Sequence, residues 1–71
     1  MKLIYTFHAL IRLVERYISK KEVERALRLG RIEELGDNLR KFSLRNQDGT
    51  LVVIIKIRPS AVRLVVTAYW E

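Results

Sequence analysis

The spacing of apolar residues changes along the chain, from a helical period to a period of two. Residues 2 to 6 form a short run of β-forming residues and predict a strand. The last residue of this run then caps a first helix over residues 7 to 17. Ser19 and Glu22 form an S-x-x-E capping box, which begins a second helix. Gly30 stands where a helix ends.

After Gly30 the apolar residues alternate with polar ones, which predicts strands. The predicted strands cover residues 31 to 35, 39 to 45, 51 to 57 and 62 to 70. The third is almost wholly apolar, as expected for a central strand covered on both faces. Strict alternation in the last strand places one set of side chains on one face, namely Val62, Leu64, Val66, Ala68 and Trp70. The other face then holds Arg63, Val65, Thr67 and Tyr69.

Helices that precede a run of strands predict an α+β domain. We expect a short N-terminal strand, two helices, and then a three- to four-stranded antiparallel sheet with both helices on one face. Residues 1 to 71 form a single domain in this interpretation, because the sequence contains no linker, repeat or low-complexity segment.

The first predicted helix has a polar side and an apolar side. His8, Arg12 and Arg16 are four residues apart and form one column, with Glu15 beside them. The side expected to pack carries Leu10, Leu13, Val14 and Tyr17. An imidazole moves protons near neutral pH, and guanidinium groups hold phosphate. The column therefore predicts a phosphate-handling site, although a solvated surface helix also shows a polar stripe of this kind.

Charge and composition narrow the choice of partner. Fourteen Lys and Arg residues oppose eight Asp and Glu residues, giving a net charge of +6, which favours nucleic acid as the partner. The absence of cysteine excludes disulfides and thiolate metal sites, and a single histidine argues against zinc, so we expect no cofactor. Neither a signal peptide nor a membrane-spanning stretch is visible, so we expect a cytoplasmic protein with no membrane contact. The abundance of Ile, Val, Arg and Glu hints at a thermophilic source.

Several motifs resemble those of a bacterial and archaeal family known as domain of unknown function 4258. The opening motif is His8-Ala9-x-x-Arg12-x-x-Glu15-Arg16-x-Ile18-Ser19-x-x-Glu22-Val23, followed later by Gly30-x-Ile32 and Val66-Thr67-Ala68-Tyr69. That family in turn resembles the metal-independent ribonuclease fold of barnase, colicin nucleases and RelE-type toxins. The resemblance implies RNA cleavage, often within a toxin–antitoxin pair. Tyr17 departs from the glycine common in the family, and a tyrosine disfavours a left-handed helix end.

The resemblance also implies roles for individual residues. His8, Arg12 and Arg16 match polar helix positions, and Thr67 matches a hydroxyl position on the last strand. We therefore expect an endoribonuclease in which His8 moves a proton, the two arginines hold the scissile phosphate and Thr67 or Tyr69 orients it. Candidates for further RNA contacts are Arg40, Arg45, Arg63 and Tyr69. Expected partners are RNA, an antitoxin protein and a second copy of the chain.

Two alternatives stay open beside the nuclease. A helix-turn-helix that binds nucleic acid without cleaving it would use cations on the second helix, namely Lys20, Lys21, Arg25 and Arg28. Glu22 and Glu24 on the same helix would repel phosphate. An oligomerisation module would use an exposed strand edge.

For the nuclease itself, strand alternation separates Thr67 from Trp70. If the helices cover the Trp70 side, His8 and Thr67 meet only around the edge of the sheet. If the helices cover the Thr67 side, Thr67 is packed beneath them.

Overall fold

A computed structural model describes residues 2–71 and confirms the predicted α+β class. The elements in chain order are β1 (Lys2–Tyr5), α1 (Phe7–Glu15), α2 (Lys20–Leu29), β2 (Arg31–Gly36), β3 (Leu39–Asn46), β4 (Gly49–Arg58), a 3-10 turn (Pro59–Ala61) and β5 (Val62–Trp70). Each helix and strand predicted from the pattern is present, and α1 ends two residues earlier than predicted.

The sheet has five strands in the order β1-β5-β4-β3-β2. Strands β2 to β5 form an antiparallel meander, as predicted. The first strand also joins the sheet, where it pairs parallel to β5 from Lys2 opposite Val62 to Tyr5 opposite Val65. The sheet is therefore mixed rather than purely antiparallel. Because α1 and α2 carry the chain from one sheet edge to the other, the first strand is free to pair with the last.

Both helices pack on one face of the sheet, which we call the helix-covered face. The buried core joins residues of α1 and α2 to inward-facing residues of β3, β4 and β5; its members include Ala9, Leu13, Val23, Ala26, Phe42, Leu51, Val53, Ile55, Val65 and Ala68. The opposite face, which we call the open face, carries no helix, so the prediction that β4 is covered on both faces is wrong. Val52 on the open face is nevertheless fully buried between its register neighbours Ser43 and Tyr69.

A β-bulge in β5 changes which side chains share a face. Thr67 lies opposite Ile54, but the next pair joins Val65 to Ile55, which leaves Val66 as the extra residue. A bulge shifts the alternation by one residue. Val65 therefore points to the helix-covered face together with Ala68, and the strict alternation predicted for this strand is wrong on the N-terminal side of the bulge.

The end of α1 contains a left-handed residue in spite of its bulky side chain. Tyr17 has a φ of 55°. Its N–H donates to the carbonyl of Val14 at 3.3 Å, and the N–H of Ile18 donates to the carbonyl of Leu13 at 2.9 Å. These two bonds define a Schellman motif, in which buried Ile18 packs over buried Leu13. The turn therefore keeps the geometry that glycine favours, against the expectation drawn from tyrosine.

The two ends of α2 match the sequence prediction. Ser19 accepts a hydrogen bond from the Glu22 N–H, and the Glu22 carboxylate accepts one from the Ser19 N–H, which completes the capping box. Gly30 follows the helix with an ordinary φ of −74°. Glycine is needed there for space, because a Cβ would collide with the Ala26 carbonyl oxygen and lie 2.9 Å from the Ser43 carbonyl oxygen.

Candidate functional site

Helix α1 lies along the part of the β5 edge that β1 leaves uncovered. The pairing of β1 with β5 stops at Val65. The Thr6 N–H donates to the Val65 carbonyl at 3.2 Å, immediately before α1 begins. At the other end of the helix, Arg16 Nη1 donates to the Ala68 carbonyl at 2.7 Å. The helix therefore follows β5 from Val65 to Ala68.

Arg16 makes two hydrogen bonds that hold the end of α1 against β5, and we call this pair of bonds the Arg16 clamp. Its guanidinium donates to the Ala68 carbonyl, and its own carbonyl accepts a hydrogen bond from Trp70 Nε1 at 2.8 Å. The side chain is partly buried. The structure thus commits one donor of Arg16 to a backbone contact that fixes the helix end, and a role for its other donors at a phosphate stays a prediction. Arg16 is a positioning residue.

His8 and Arg12 lie on the solvent side of α1. His8 is exposed in the first helical turn, which contains no acidic residue. Arg12 Nη1 donates to Glu15 Oε1 at 2.6 Å in a partly exposed ion pair. Arg12 and Arg16 are four residues apart and share one side of the helix. Since the Arg16 guanidinium reaches β5, this side of the helix faces the part of the β5 edge that β1 leaves uncovered. We call His8, Arg12 and Glu15 the α1 edge site.

Thr67 is not placed beside His8. Its register partner is Ile54, which belongs to the open face, whereas α1 covers the opposite face. The bulge leaves Thr67 partly exposed on the segment of β5 that α1 follows. The edge of the sheet therefore separates the hydroxyl from the α1 edge site, as strand alternation anticipated.

The four residues proposed from sequence as RNA contacts are divided between the two faces of the sheet. Arg40 lies opposite Ile55 and Arg63 lies opposite Ile57, so both belong to the helix-covered face. Arg40 Nε is 3.2 Å from the Glu34 carboxylate. Arg63 lines a cleft with Leu3, Glu24, Leu27 and Arg28. Arg40 and Arg63 therefore do not form one surface with Arg45 and Tyr69.

Arg45 and Tyr69 belong to the open face, opposite Thr50 and Val52. Lys41 shares that face, where its Nζ is 3.9 Å from the Glu71 carboxylate. The sequence interpretation did not single out Lys41 as a candidate, although its alternation with Ser43 and Arg45 would have placed it there. The open face therefore combines cations with one tyrosine.

Helix α1 exposes more apolar surface than predicted. Val14 is 77% exposed and Tyr17 is 90% exposed, although both were expected to pack. Phe7 is 79% exposed, and Ile11 is exposed beside it. The spacing of Phe7, Ile11 and Val14 is itself a helical stripe, and this signal was present in the sequence.

The α1 edge site is an open surface rather than a pocket. Four clefts in the described part of the chain have linings that contain neither His8 nor Arg12. Among residues 2–71, no group of three or more His, Cys, Asp or Glu side chains is placed to hold a metal ion. Within the same range, no helix combines the length and the apolar character that crossing a membrane demands.

These features define a class of small basic α+β domain, with a mixed sheet and an exposed histidine on the helix that follows its edge. The chain belongs to the family described as a domain of unknown function (DUF4258), which matches residues 5–70. Searches of curated proteins and of solved structures found no match. The family predicted from the motifs is therefore confirmed, and the relation of that family to metal-independent ribonucleases stays a prediction.

Proposed function

We propose that the protein binds RNA at the α1 edge site and cleaves it without a metal ion, with His8 as the proton-transfer group. One observation carries this proposal: the chain's single imidazole and the Arg12 guanidinium lie one helical turn apart, accessible on the same side of α1. The net charge of +6 attracts a polyanion to this surface. No acidic residue in the first turn opposes it.

Arg12 is available to phosphate in spite of its ion pair with Glu15. The pair is partly exposed, and exposed pairs contribute at most about 1 kcal/mol. A guanidinium has five N–H donors, and the Glu15 contact uses Nη1 alone. A phosphate therefore binds the remaining donors while Glu15 holds the side chain in one orientation.

The cleavage step follows from the groups that this surface offers. His8 accepts the proton of the ribose 2′-hydroxyl, and the 2′-oxygen forms a bond to phosphorus. The bond from phosphorus to the 5′-oxygen breaks, that oxygen takes a proton from a water molecule, and the hydroxide that forms takes the proton from His8, which restores the neutral imidazole. Arg12 stabilises the negative charge that builds on the phosphorus oxygens. The products are a 2′,3′-cyclic phosphate and a 5′-hydroxyl.

Other surfaces of the molecule give the expected partners their contacts. RNA that leaves the α1 edge site around the β5 edge passes Thr67 and reaches Tyr69 and Arg45 on the open face. An antitoxin would bind the exposed apolar residues Phe7 and Val14, which lie on the same helix as His8, and so block access to it. This interpretation places the protein in the cytoplasm, where RNA and such a partner are available.

The decisive experiment is an RNA cleavage assay with the purified full chain in a metal chelator. We expect His8→Gln to lower the rate about a hundredfold, because it removes general base catalysis. Arg12→Gln should also lower the rate, whereas Arg28→Gln, an exposed arginine on α2, serves as the matched control and should not. Product analysis should find the cyclic phosphate. Undiminished cleavage by His8→Gln contradicts the assignment, and RNA binding without cleavage by the unaltered chain favours the non-catalytic alternative.

A further inference from the structure

Strand β2 forms an edge of the sheet that no other part of residues 2–71 covers. It is the last strand in the order β1-β5-β4-β3-β2, and all six of its residues are exposed. Helix α2 packs over β3 and β4 instead. An edge strand presents a row of unpaired N–H and carbonyl groups, which is a template for pairing with another chain.

Three exposed apolar side chains lie at this edge. Ile32 is 58% exposed and lies opposite Phe42 in the register, so it belongs to the helix-covered face. Leu29 at the end of α2 is 55% exposed, and Leu35 is exposed at the other end of β2. All three side chains stay exposed within the described residues, so their burial needs a partner at this edge.

We propose that β2 pairs antiparallel with β2 of a second copy of this chain, with Ile32 directly opposite the partner's Ile32. The two five-stranded sheets then form one sheet of ten strands. The β2 edge lies at the other side of the sheet from β5 and α1. The pairing therefore leaves His8 and Arg12 accessible. Its test does not depend on the proposed RNA cleavage.

The charges on β2 select this register. Directly opposed residues of an antiparallel pair point to the same face, so a symmetric pairing that places Arg31 or Glu33 opposite one of these two residues of the partner centres on residue 31, 32 or 33. Centring on Glu33 opposes two carboxylates, and centring on Arg31 opposes two guanidinium groups. Centring on Ile32 places Arg31 of each copy opposite Glu33 of the other copy, which gives two pairs of opposite charge. Among residues 2–71, Arg31 and Glu33 form no ion pair, whereas Glu34 is paired with Arg40.

Charge reversal tests this pairing in the full chain by sedimentation over a range of concentrations. We expect a dimer, and we expect Arg31→Glu or Glu33→Arg alone to raise the dimer Kd about tenfold or more, because each places like charges opposite each other. The two single variants, when mixed, should form a heterodimer, since each of the two opposed pairs then joins one carboxylate to one guanidinium. Arg58→Glu is the matched control for Arg31→Glu, because it makes the same charge change at an exposed arginine at the end of β4 and should leave the Kd unchanged. A monomer at all concentrations, or a dimer that both single reversals leave intact, overturns the proposal.

Cysteine cross-linking tests the register itself. The chain has no cysteine, so a variant carries a single thiol. Ile32→Cys should form a disulfide dimer on mild oxidation, because Cα atoms directly opposed across a ladder lie about 4.5–5.5 Å apart, within disulfide range. Glu34→Cys is the control, since its two copies would lie about 13 Å apart in this register. Equal cross-linking of the two variants overturns the register, whether or not the protein cleaves RNA.

Discussion

At the scale of single residues, Tyr5 shows how a polar atom without a partner affects stability. Its hydroxyl oxygen is buried with no hydrogen-bond partner among residues 2–71, while Lys20 Nζ lies 5.2 Å from the centre of its ring. Burial raises the pKa of the Tyr5 hydroxyl, and the nearby Glu24 carboxylate raises this pKa further. The ring therefore contributes packing and a cation–π contact, and the hydroxyl contributes nothing favourable.

Replacing Tyr5 with phenylalanine should leave the free energy of unfolding unchanged or raise it by up to about 1 kcal/mol, because an unsatisfied hydroxyl is removed. The effect should grow above pH 10.0, the ordinary pKa of tyrosine. There the unfolded chain loses the Tyr5 proton more readily than the folded one, so the unaltered protein loses stability as the pH rises. Urea unfolding at pH 7 and at pH 11 measures both effects. Tyr17→Phe, on a 90% exposed ring, should show neither.

The Arg16 clamp gives a second prediction at this scale. Arg16→Met should lower the free energy of unfolding by about 1–3 kcal/mol, because the Ala68 carbonyl loses its charged donor. Arg12→Met removes a guanidinium from the same helix face but breaks only a partly exposed ion pair, so its cost should stay below about 1 kcal/mol. Denaturant unfolding of the two variants compares them. Equal losses would show that the clamp contributes no more than a surface pair.

At the scale of secondary-structure elements, the end of α1 retains an unfavourable residue. Non-glycine residues pay about 1–2 kcal/mol in the left-handed conformation, and Tyr17 adopts it while its ring is almost fully exposed. Tyr17→Gly should therefore raise the free energy of unfolding by about 1 kcal/mol. Tyr17→Ala is the control, since it removes the ring and keeps the strain, and it should change stability little. A gain in melting temperature for the alanine variant equal to that of glycine would refute the backbone explanation.

Sequence patterns predicted the elements well because their signals are local. The Ser19–Glu22 capping box and the glycine that follows α2 each involve residues a few positions apart. The bulge at Val66 and the parallel pairing of β1 with β5 depend on register between segments far apart along the chain, and no local pattern encodes that register. The prediction did not include the one-residue shift at the bulge, so it grouped Val65 with Thr67 and Tyr69, whereas Val65 lies on the helix-covered face.

The same distinction governs the candidate site. His8 and Arg12 are found on one side of α1 because helical spacing fixes their relation. Arg16 satisfies the same spacing, but its guanidinium bonds a carbonyl 52 residues away. Val14 and Tyr17 were expected to pack because they are apolar, yet α1 buries only a narrow stripe of residues at the sheet edge. Long-range packing, rather than residue type, decides which members of a helical column are accessible.

At the scale of the whole molecule, two edges of one sheet carry two separate surfaces. The β5 edge, together with α1, carries the candidate RNA site, and the β2 edge carries apolar residues and complementary charges. In the proposed dimer, the two α1 edge sites lie at opposite ends of a ten-stranded sheet. Each site would therefore bind its own RNA strand, independently of the other site. Dimerisation should then leave the cleavage rate per chain unchanged.

Net charge alone attracts RNA to every part of a basic surface, so salt dependence separates general attraction from contact at the α1 edge site. Each phosphate contact with a single strand contributes about 0.7 to the slope of log affinity against log salt concentration. Arg12→Gln should therefore reduce the magnitude of this slope by about 0.7, and Arg28→Gln, which removes the same charge from α2, should reduce it less. Fluorescence anisotropy with a short labelled RNA, measured on the inactive His8→Gln background, gives both slopes. Equal reductions would show that Arg12 acts only through net charge, and the phosphate contact assigned to it would then be wrong.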